Sequence, residues 1–585
     1  MLQLARPAIR GKRPNGQVTA WLMHPQPLRL LLSLSLAVGI AHALSMFPPG
    51  VILGTGAFWK FPHGVVHDSF ADMANCLAGY LYFIHGSWAL PLLKAPLLGS
   101  PAGTNIAFVD AAPLIALIGK LVFTLSGTSV NLLGLFAFAC YVLPGFAMTL
   151  LLAEAGERRL VPILAGSVFA DTAPYLLYRW GHLALCAQFL IIFALALYLR
   201  SLHRPDRRGN EVLWLALLAA AILIHPYLFV MVAPAWVAQL AQNRLDGNLS
   251  IAETAGRAMA VTGIVIAIML LTGQLGGHLV GAGGRGYGAY TLDLLSPIMP
   301  QFSGVIPPLV QSRIGDFYQY EGFAYLGLGV LVLLLATLPT QYALLKRRAR
   351  SHAVLLAVLA GFLLFAISNV IDLGWFSVEI PLPDRILTYA SVFRASGRFF
   401  WPIGYALTAL AVLGTLRRFK PNPAMLLLAA MAVLQLVDIG PLRAMVAGSM
   451  QGPAPAALDR AVLAQEAAPA QAILAYPSYA CVDDNALKQI SMEIILAGAR
   501  ANLPINSVYN TRPDTDCAAE AAAARLPLVA GTLYVYPAGF APATTQFDGV
   551  TPAQACRRDG RMLYCRLPDS GGKADAGTAK TTASP

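Results

Sequence analysis

Ala112-Pro113-Leu114-Ile115-Ala116-Leu117-Ile118-Gly119-Lys120-Leu121-Val122-Phe123-Thr124-Leu125-Ser126-Gly127 is the stretch on which the topology of this chain turns. It is apolar, yet Pro113, Gly119 and Lys120 suit a helix lying against a membrane better than one crossing it. Counted as a span, it would move every later basic cluster to the opposite side. Those clusters are Arg158-Arg159, Arg200 with Arg204, Arg207 and Arg208, Arg244 and Arg257, Lys346-Arg347-Arg348 with Arg350, and Arg417-Arg418 with Lys420. Read as interfacial or re-entrant, the stretch leaves all of them on the side of Arg6, Arg10, Lys12 and Arg13, as the inward bias of Lys and Arg requires. A short span is the alternative.

The 585 residues are 57% hydrophobic and 12% charged. Charge this sparse cannot cover a soluble globule, so the chain reads as a polytopic membrane protein. Its net charge of +12 is spread over short clusters between apolar runs, which argues against nucleic acid as a partner. Apolar stretches near 28–47, 130–153, 160–178, 183–199, 212–224, 227–241, 256–274, 323–340, 353–371, 401–416 and 424–440 make about eleven spans. The first is too long for a signal-peptide core and lacks a cleavage signature, so it is expected to remain behind a cytoplasmic segment 1–27.

Parity then places 48–129, 275–322, 372–400 and everything after 440 outside the cytoplasm. After Ile439 the long apolar runs give way to Ala, Pro and polar residues, and Gln471–Tyr476 and Gly531–Tyr536 alternate as short strands do. The expected fold class is an all-α polytopic domain over 28–440, with outer interfacial helices in loop 48–129, and a small outer α/β domain over 441–568. The tail 569–585 lacks large apolar residues and is expected to be disordered. Cys481, Cys517, Cys556 and Cys565 form an even set confined to the outer domain, which points to disulfides in an oxidising periplasm. Cys556 and Cys565 flank a turn at Asp559-Gly560 and make the easier pair.

Carboxylates beside hydrocarbon need solvation, pairing or a task. In loop 48–129 they come in order: His67-Asp68-Ser69, Asp72, then Gly86-Ser87-Trp88 with Pro91, then Asp110 before Pro113-Leu114. Asp68 and Asp72 share a helix face if this segment is helical, and Asp110 stands where a carboxylate caps free N–H groups. A simple cap for Asp110 and a solvated face for Asp72 are the plain alternatives.

This order resembles the GT-C superfamily of membrane glycosyltransferases, which includes aminoarabinose transferases of lipid A and protein O-mannosyltransferases. Those enzymes carry an Asp, often Asp-Glu, after the first span, then an interfacial helix, a Gly-Asp-Trp-like turn with a following Pro, and an acidic-x-Pro-Pro-Leu-like motif. This chain departs from them in Ser69 and in Ala111-Ala112 before a single Pro, and the likeness covers the N-terminal half. The resemblance implies catalytic roles for Asp68 and Asp110, with His67, Asp72 and Trp88 binding substrate. It implies a polyprenyl-phosphate sugar as donor and a glycan or lipid acceptor at the periplasmic face of a bacterial inner membrane. It also admits a divalent metal ion near Asp68, whereas the His and Cys spacing predicts no structural metal site.

A second constellation, Val392-Phe393-Arg394-Ala395-Ser396-Gly397-Arg398-Phe399-Phe400-Trp401-Pro402, lies at the outer end of a span. It is similar to a segment of uncharacterised bacterial membrane proteins that are themselves GT-C-like. Arg394 and Arg398, four apart and against the positive-inside bias, are expected to bind the donor phosphate together. Headgroup snorkelling within an aromatic belt is the alternative. The outer loop 275–322 adds a glycine-rich run around Arg285 that lacks the context of a phosphate loop, and then Tyr320-Glu321. Arg285, Tyr320 and Glu321 are assigned to substrate, with a ring to stack on sugar and a carboxylate to bond hydroxyls, or else to an ordinary loop beside an aromatic belt. His225 breaks an apolar run before Pro226, either to bond a sugar or phosphate or to cap a helix. Asp171, Arg179, Trp180 and His182 interrupt another run and receive no role. A transporter or flippase of lipid-linked saccharide is the rival function. It should show an internal repeat and polar residues near midplane, and no convincing repeat is found.

Overall fold

The computed structural model describes residues 24–65, 70–205, 208–275, 286–307, 320–511, 515–547 and 550–567. His67, Asp68, Arg285 and the tail 569–585 lie outside them. The described residues form two compact units that do not follow chain order. The first takes in the described parts of 1–69, 112–119 and 130–453; the second takes in those of 70–111, 120–129 and 454–585. The outer loop, expected as an appendage of the membrane domain, thus contributes 70–111 and 120–129 to the same unit as the C-terminal region. The boundary expected at 441 lies at 454, because a helix Gly440–Ser449 belongs to the first unit.

The first unit is mainly helical, and each of the eleven apolar stretches overlaps a helix, although the stretch 353–371 ends in the strand Val370–Leu373, which pairs with Phe376–Glu379. Among the described residues, eight helical segments are long and apolar enough to cross a membrane, from Leu133–Glu154 to Pro421–Asp438. Leu28–Leu44 and Gly209–Ile224 are apolar but shorter, and Pro226–Leu245 buries Gln239, Gln242 and Asn243. Ile251–Leu271 is largely exposed and, beyond Arg257, carries no charged residue, as expected of a helix solvated by lipid. These segments make the chain a membrane protein. The helix Pro113–Ser126 has 14 residues and is about 21 Å long, short of the roughly 30 Å hydrocarbon core.

In the second unit, Ala472–Ala475 pairs parallel with Thr532–Pro537, which pairs antiparallel with Met562–Cys565, and Cys556–Asp559 closes the edge. Ala524, Leu528, Tyr534, Tyr536, Phe547 and Leu563 form a core there. Disulfides join Cys481 to Cys517 and Cys556 to Cys565, the latter two being direct cross-strand partners. The amphipathic helix Asn485–Ala501, capped by Asp484 bonding the Leu487 N–H at 2.8 Å, packs on Phe70–His85. Hydrogen bonds sew the remaining loop to this region. Ser100 N donates to Ile505 O at 2.7 Å, Ile505 N to Leu97 O at 2.9 Å, and Thr511 N to Phe108 O at 3.0 Å.

Candidate functional site

In the first unit, a buried carboxylate gathers two guanidiniums. Glu321, in the short turn Tyr320–Gly322, accepts from Arg398 Nε at 2.7 Å through Oε2 and from Arg398 Nη2 at 2.5 Å through Oε1. Arg179 Nη1 donates to Oε2 as well, and Arg179 Nη2 donates to the Tyr320 carbonyl at 3.1 Å. His182 Nε2 lies 3.4 Å from Oε1. Arg179, Glu321 and Arg398 are 2%, 3% and 7% exposed, so charges this deep must be paired. Burial alone would raise the Glu321 pKa. Arg179, Arg398 and His182 outweigh it and hold the carboxyl well below the usual range. Among the described residues, two guanidiniums against one carboxylate leave a net positive centre.

Glycine makes this convergence geometrically available. A Cβ on Gly397 would sit 2.6 Å from Gly322 Cα, and one on Gly322 would overlap the Thr291 carbonyl. Only bare backbone lets the turn carrying Glu321 meet the turn Ser396–Phe400 carrying Arg398. That turn runs directly into the helix Trp401–Arg418, with Pro402 in its first turn.

An aromatic shell surrounds the centre. The Arg398 guanidinium stacks 4.8 Å from the Tyr227 ring centroid, and Tyr227 Oη accepts from Ala395 N at 3.0 Å. His225 caps the helix Pro226–Leu245, its Nδ1 accepting from Tyr227 N at 3.1 Å, so the cap reading describes its geometry. Burial first, then Arg398 and His182, push His225 down to about 3, leaving it neutral at physiological pH. Arg394 is exposed and stacks 5.7 Å from the Tyr290 centroid, and the Tyr290 and Tyr320 centroids lie 6.4 Å apart.

The expected two-pronged fork is therefore not what the structure presents. Residues 391–400 are two 3₁₀ turns broken at Ala395, not an α-helix, so the four-residue spacing does not align the arginines. Arg398 turns inward to Glu321 while Arg394 remains at the surface. Glu321, expected to bond sugar hydroxyls, has both oxygens engaged by guanidiniums. Arg179 and His182 were the residues whose role the sequence left open. The available signal was two ionisable side chains interrupting an apolar run.

The second unit holds Asp72, Trp88 and Asp110. Asp72 lies in the first turn of Phe70–His85, and after burial its charge is what raises the Tyr479 phenol. Tyr479 stacks on Tyr509 at 4.5 Å, and Asn75 Nδ2 bonds the Tyr509 and Val109 carbonyls at 2.9 and 3.0 Å. Asp110 has φ +56° and Ala112 φ +45°, two left-handed non-glycine residues within three positions. Such conformations cost about 1–3 kcal/mol each and cluster at functional sites. The Ala112 carbonyl accepts the first bonds of the helix, from Ile115 N and Ala116 N at 2.8 and 3.1 Å. The Gly86-Ser87-Trp88 turn is held by Lys120. Its Nζ donates to Ser87 O at 2.9 Å and lies 4.2 and 4.7 Å from the Phe83 and Trp88 ring centroids. Burial pushes Lys120 down to about 8. Trp88 is exposed, with Nε1 donating to Thr124 Oγ1 at 3.2 Å. Among the described residues no three His, Cys, Asp or Glu side chains gather as a metal site.

The structure is similar to that of ArnT from Cupriavidus metallidurans in the apo state, with a TM-score of 0.48 and 12% identity, covering 94% of this chain and 98% of that one. It is also similar to the Archaeoglobus fulgidus oligosaccharyltransferase tethered with an acceptor peptide containing the NVT sequon, with a TM-score of 0.45 and 12% identity. That match covers 82% of this chain and 64% of the oligosaccharyltransferase, less than two thirds of its length. No curated protein matches the chain. The profile described as a domain of unknown function, DUF6311, matches residues 36–440, and the DUF6311 C-terminal domain matches 462–567. The chain belongs to the DUF6311 family.

Proposed function

We propose that this protein is a GT-C-type glycosyltransferase, a hexosyl or pentosyl transferase. In this reading, about eleven spans hold it in a bacterial inner membrane, and it takes sugar from a polyprenyl-phosphate donor at the periplasmic face. The acceptor is a cell-envelope glycan or lipid. The observation that carries the reading is the buried centre of Arg179, Glu321 and Arg398, with Arg394 exposed on the adjoining aromatic shell. Transfer from a lipid phosphate leaves negative charge on the departing phosphate, and a rigid, water-poor positive centre stabilises that charge without reorganising. Arg394 is the group placed to touch the phosphate, and Glu321 is a positioning residue that holds Arg179 and Arg398. Asp68 takes the part of base toward the acceptor hydroxyl, on the strength of its place in the motif order. Asp110 is given the second catalytic role on the strength of the same motif order, and its backbone has the left-handed φ of +56°.

The test is sugar transfer in reconstituted proteoliposomes with a labelled lipid donor, read beside donor binding. Asp68→Asn should lower transfer by roughly 10²–10⁴ with binding kept, because the amide preserves shape and cannot take the proton. Arg394→Ala should weaken binding and transfer together. Undiminished transfer in Asp68→Asn would remove the base. Movement of a lipid-linked saccharide with no transfer product would establish the rival, a transporter.

A further inference from the structure

The first unit also contains a cavity of about 790 Å³, within the range of roughly 300–1,000 Å³ usual for small-molecule sites. Leu195, Leu344, Leu355, Leu359, Leu410 and Leu413 make its walls. Its polar margin holds Arg348, Arg417, His203, His352 and Glu154. Glu154 is answered by Arg200 at 3.9 Å, and His352 Nδ1 meets Tyr198 Oη at 3.2 Å. Arg347 and Arg348 lie close enough to Arg417 to repel its charge, and among the described residues no carboxylate pairs with any of the three. Positive-inside bias and helix C-terminal dipoles account for basic residues at this level. They do not account for a leucine-walled chamber opening beneath them.

The chamber is remote from the centre around Glu321. Arg417 ends the helix that Arg398 precedes, and Arg348 ends the helix Leu328–Arg348, which begins shortly after Glu321. Helices of 18 and 21 residues span about 27 and 31 Å, one hydrocarbon thickness. A lipid whose head reaches Arg348 and Arg417 therefore belongs to the leaflet opposite the one facing Glu321. We propose that this chamber binds an anionic phospholipid, its phosphate held by Arg348 and Arg417 and an acyl chain lying among the leucines. Charge selects the head group, and the apolar walls require a chain. The proposal does not depend on the transfer reaction.

The test uses the full chain, delipidated in neutral detergent. Phosphatidylglycerol and phosphatidylcholine with identical chains, and inorganic phosphate, are compared by binding and by melting temperature. Phosphatidylglycerol should bind and stabilise well above the other two. Arg348→Ala with Arg417→Ala should weaken it on the order of thirtyfold, at about 1 kcal/mol per basic residue. The corresponding double lysine variant should keep most of the affinity. Leu355→Trp, which narrows the chamber with every charge kept, should also weaken binding and decides the matter if the alanine variant does not fold. Equal stabilisation by phosphatidylcholine, equal binding of free phosphate, or unchanged phosphatidylglycerol affinity in Leu355→Trp or the alanine variant would overturn the proposal.

Discussion

Glu321 is stable as an anion only because of its neighbours. Two guanidiniums and His182 replace the water it has lost, so removing its charge strands two buried cations. Glu321→Gln should destabilise the protein by about 3–5 kcal/mol, read as a fall in the denaturation midpoint in detergent. The same pairing sets a pH window. Because its folded pKa lies below the ordinary 4.5, the stabilisation is fully present above that value and is lost as pH falls beneath it. Lys120 behaves in the reverse manner. Its amine sits at about 8 against an ordinary 10.5, so between these values the unfolded chain keeps a proton that the folded chain gives up. Stability should therefore rise with pH across that window in the wild type. Lys120→Met should flatten this rise in a series of melting curves, and an identical slope in both would refute the buried position of the amine.

At the scale of elements, the two disulfides close loops of different length. Cys481 and Cys517 are 36 residues apart, and Cys556 and Cys565 are 9 apart on strands that already pair. Loop entropy assigns about 4 kcal/mol to the longer closure and about 3 to the shorter. Native strand pairing further reduces what the shorter bond adds. Cys481→Ser with Cys517→Ser should thus lower the urea midpoint of the C-terminal α/β region more than Cys556→Ser with Cys565→Ser, as monitored by limited proteolysis. The reverse order would mean that the hairpin depends on its covalent link.

For the whole molecule, the side on which the chain continues past Pro441 follows from the number of crossings before it. With the helix Pro113–Ser126 left out of that number, a reporter fused after Pro441 should register as periplasmic, and one fused after Arg158 as cytoplasmic. Periplasmic signal from the Arg158 fusion, with cytoplasmic signal from the Pro441 fusion, would make Pro113–Ser126 a span.

The helices were legible in the sequence because a membrane span is a local property. A run of about twenty predominantly apolar residues, such as the one leading to Glu154, announces a helix without reference to the rest of the chain. The strands around Ile473 and Tyr534 were legible for the same reason, through alternation over a few residues. Long-range pairing has no such local mark. Glu321 lies 142 residues from Arg179 and 77 from Arg398, and the four-residue spacing of Arg394 and Arg398 suggested a shared face that a pair of 3₁₀ turns abolishes. Nor does local pattern reveal that Phe70–His85 packs on Asn485–Ala501, more than 400 residues later. Sequence by itself determined where the long apolar helices run, two of the strands, and where charge interrupts the apolar runs. Only the tertiary structure decided which charges neutralise one another, because buried ion pairing depends on contact distance and on exclusion of water, and chain order specifies neither.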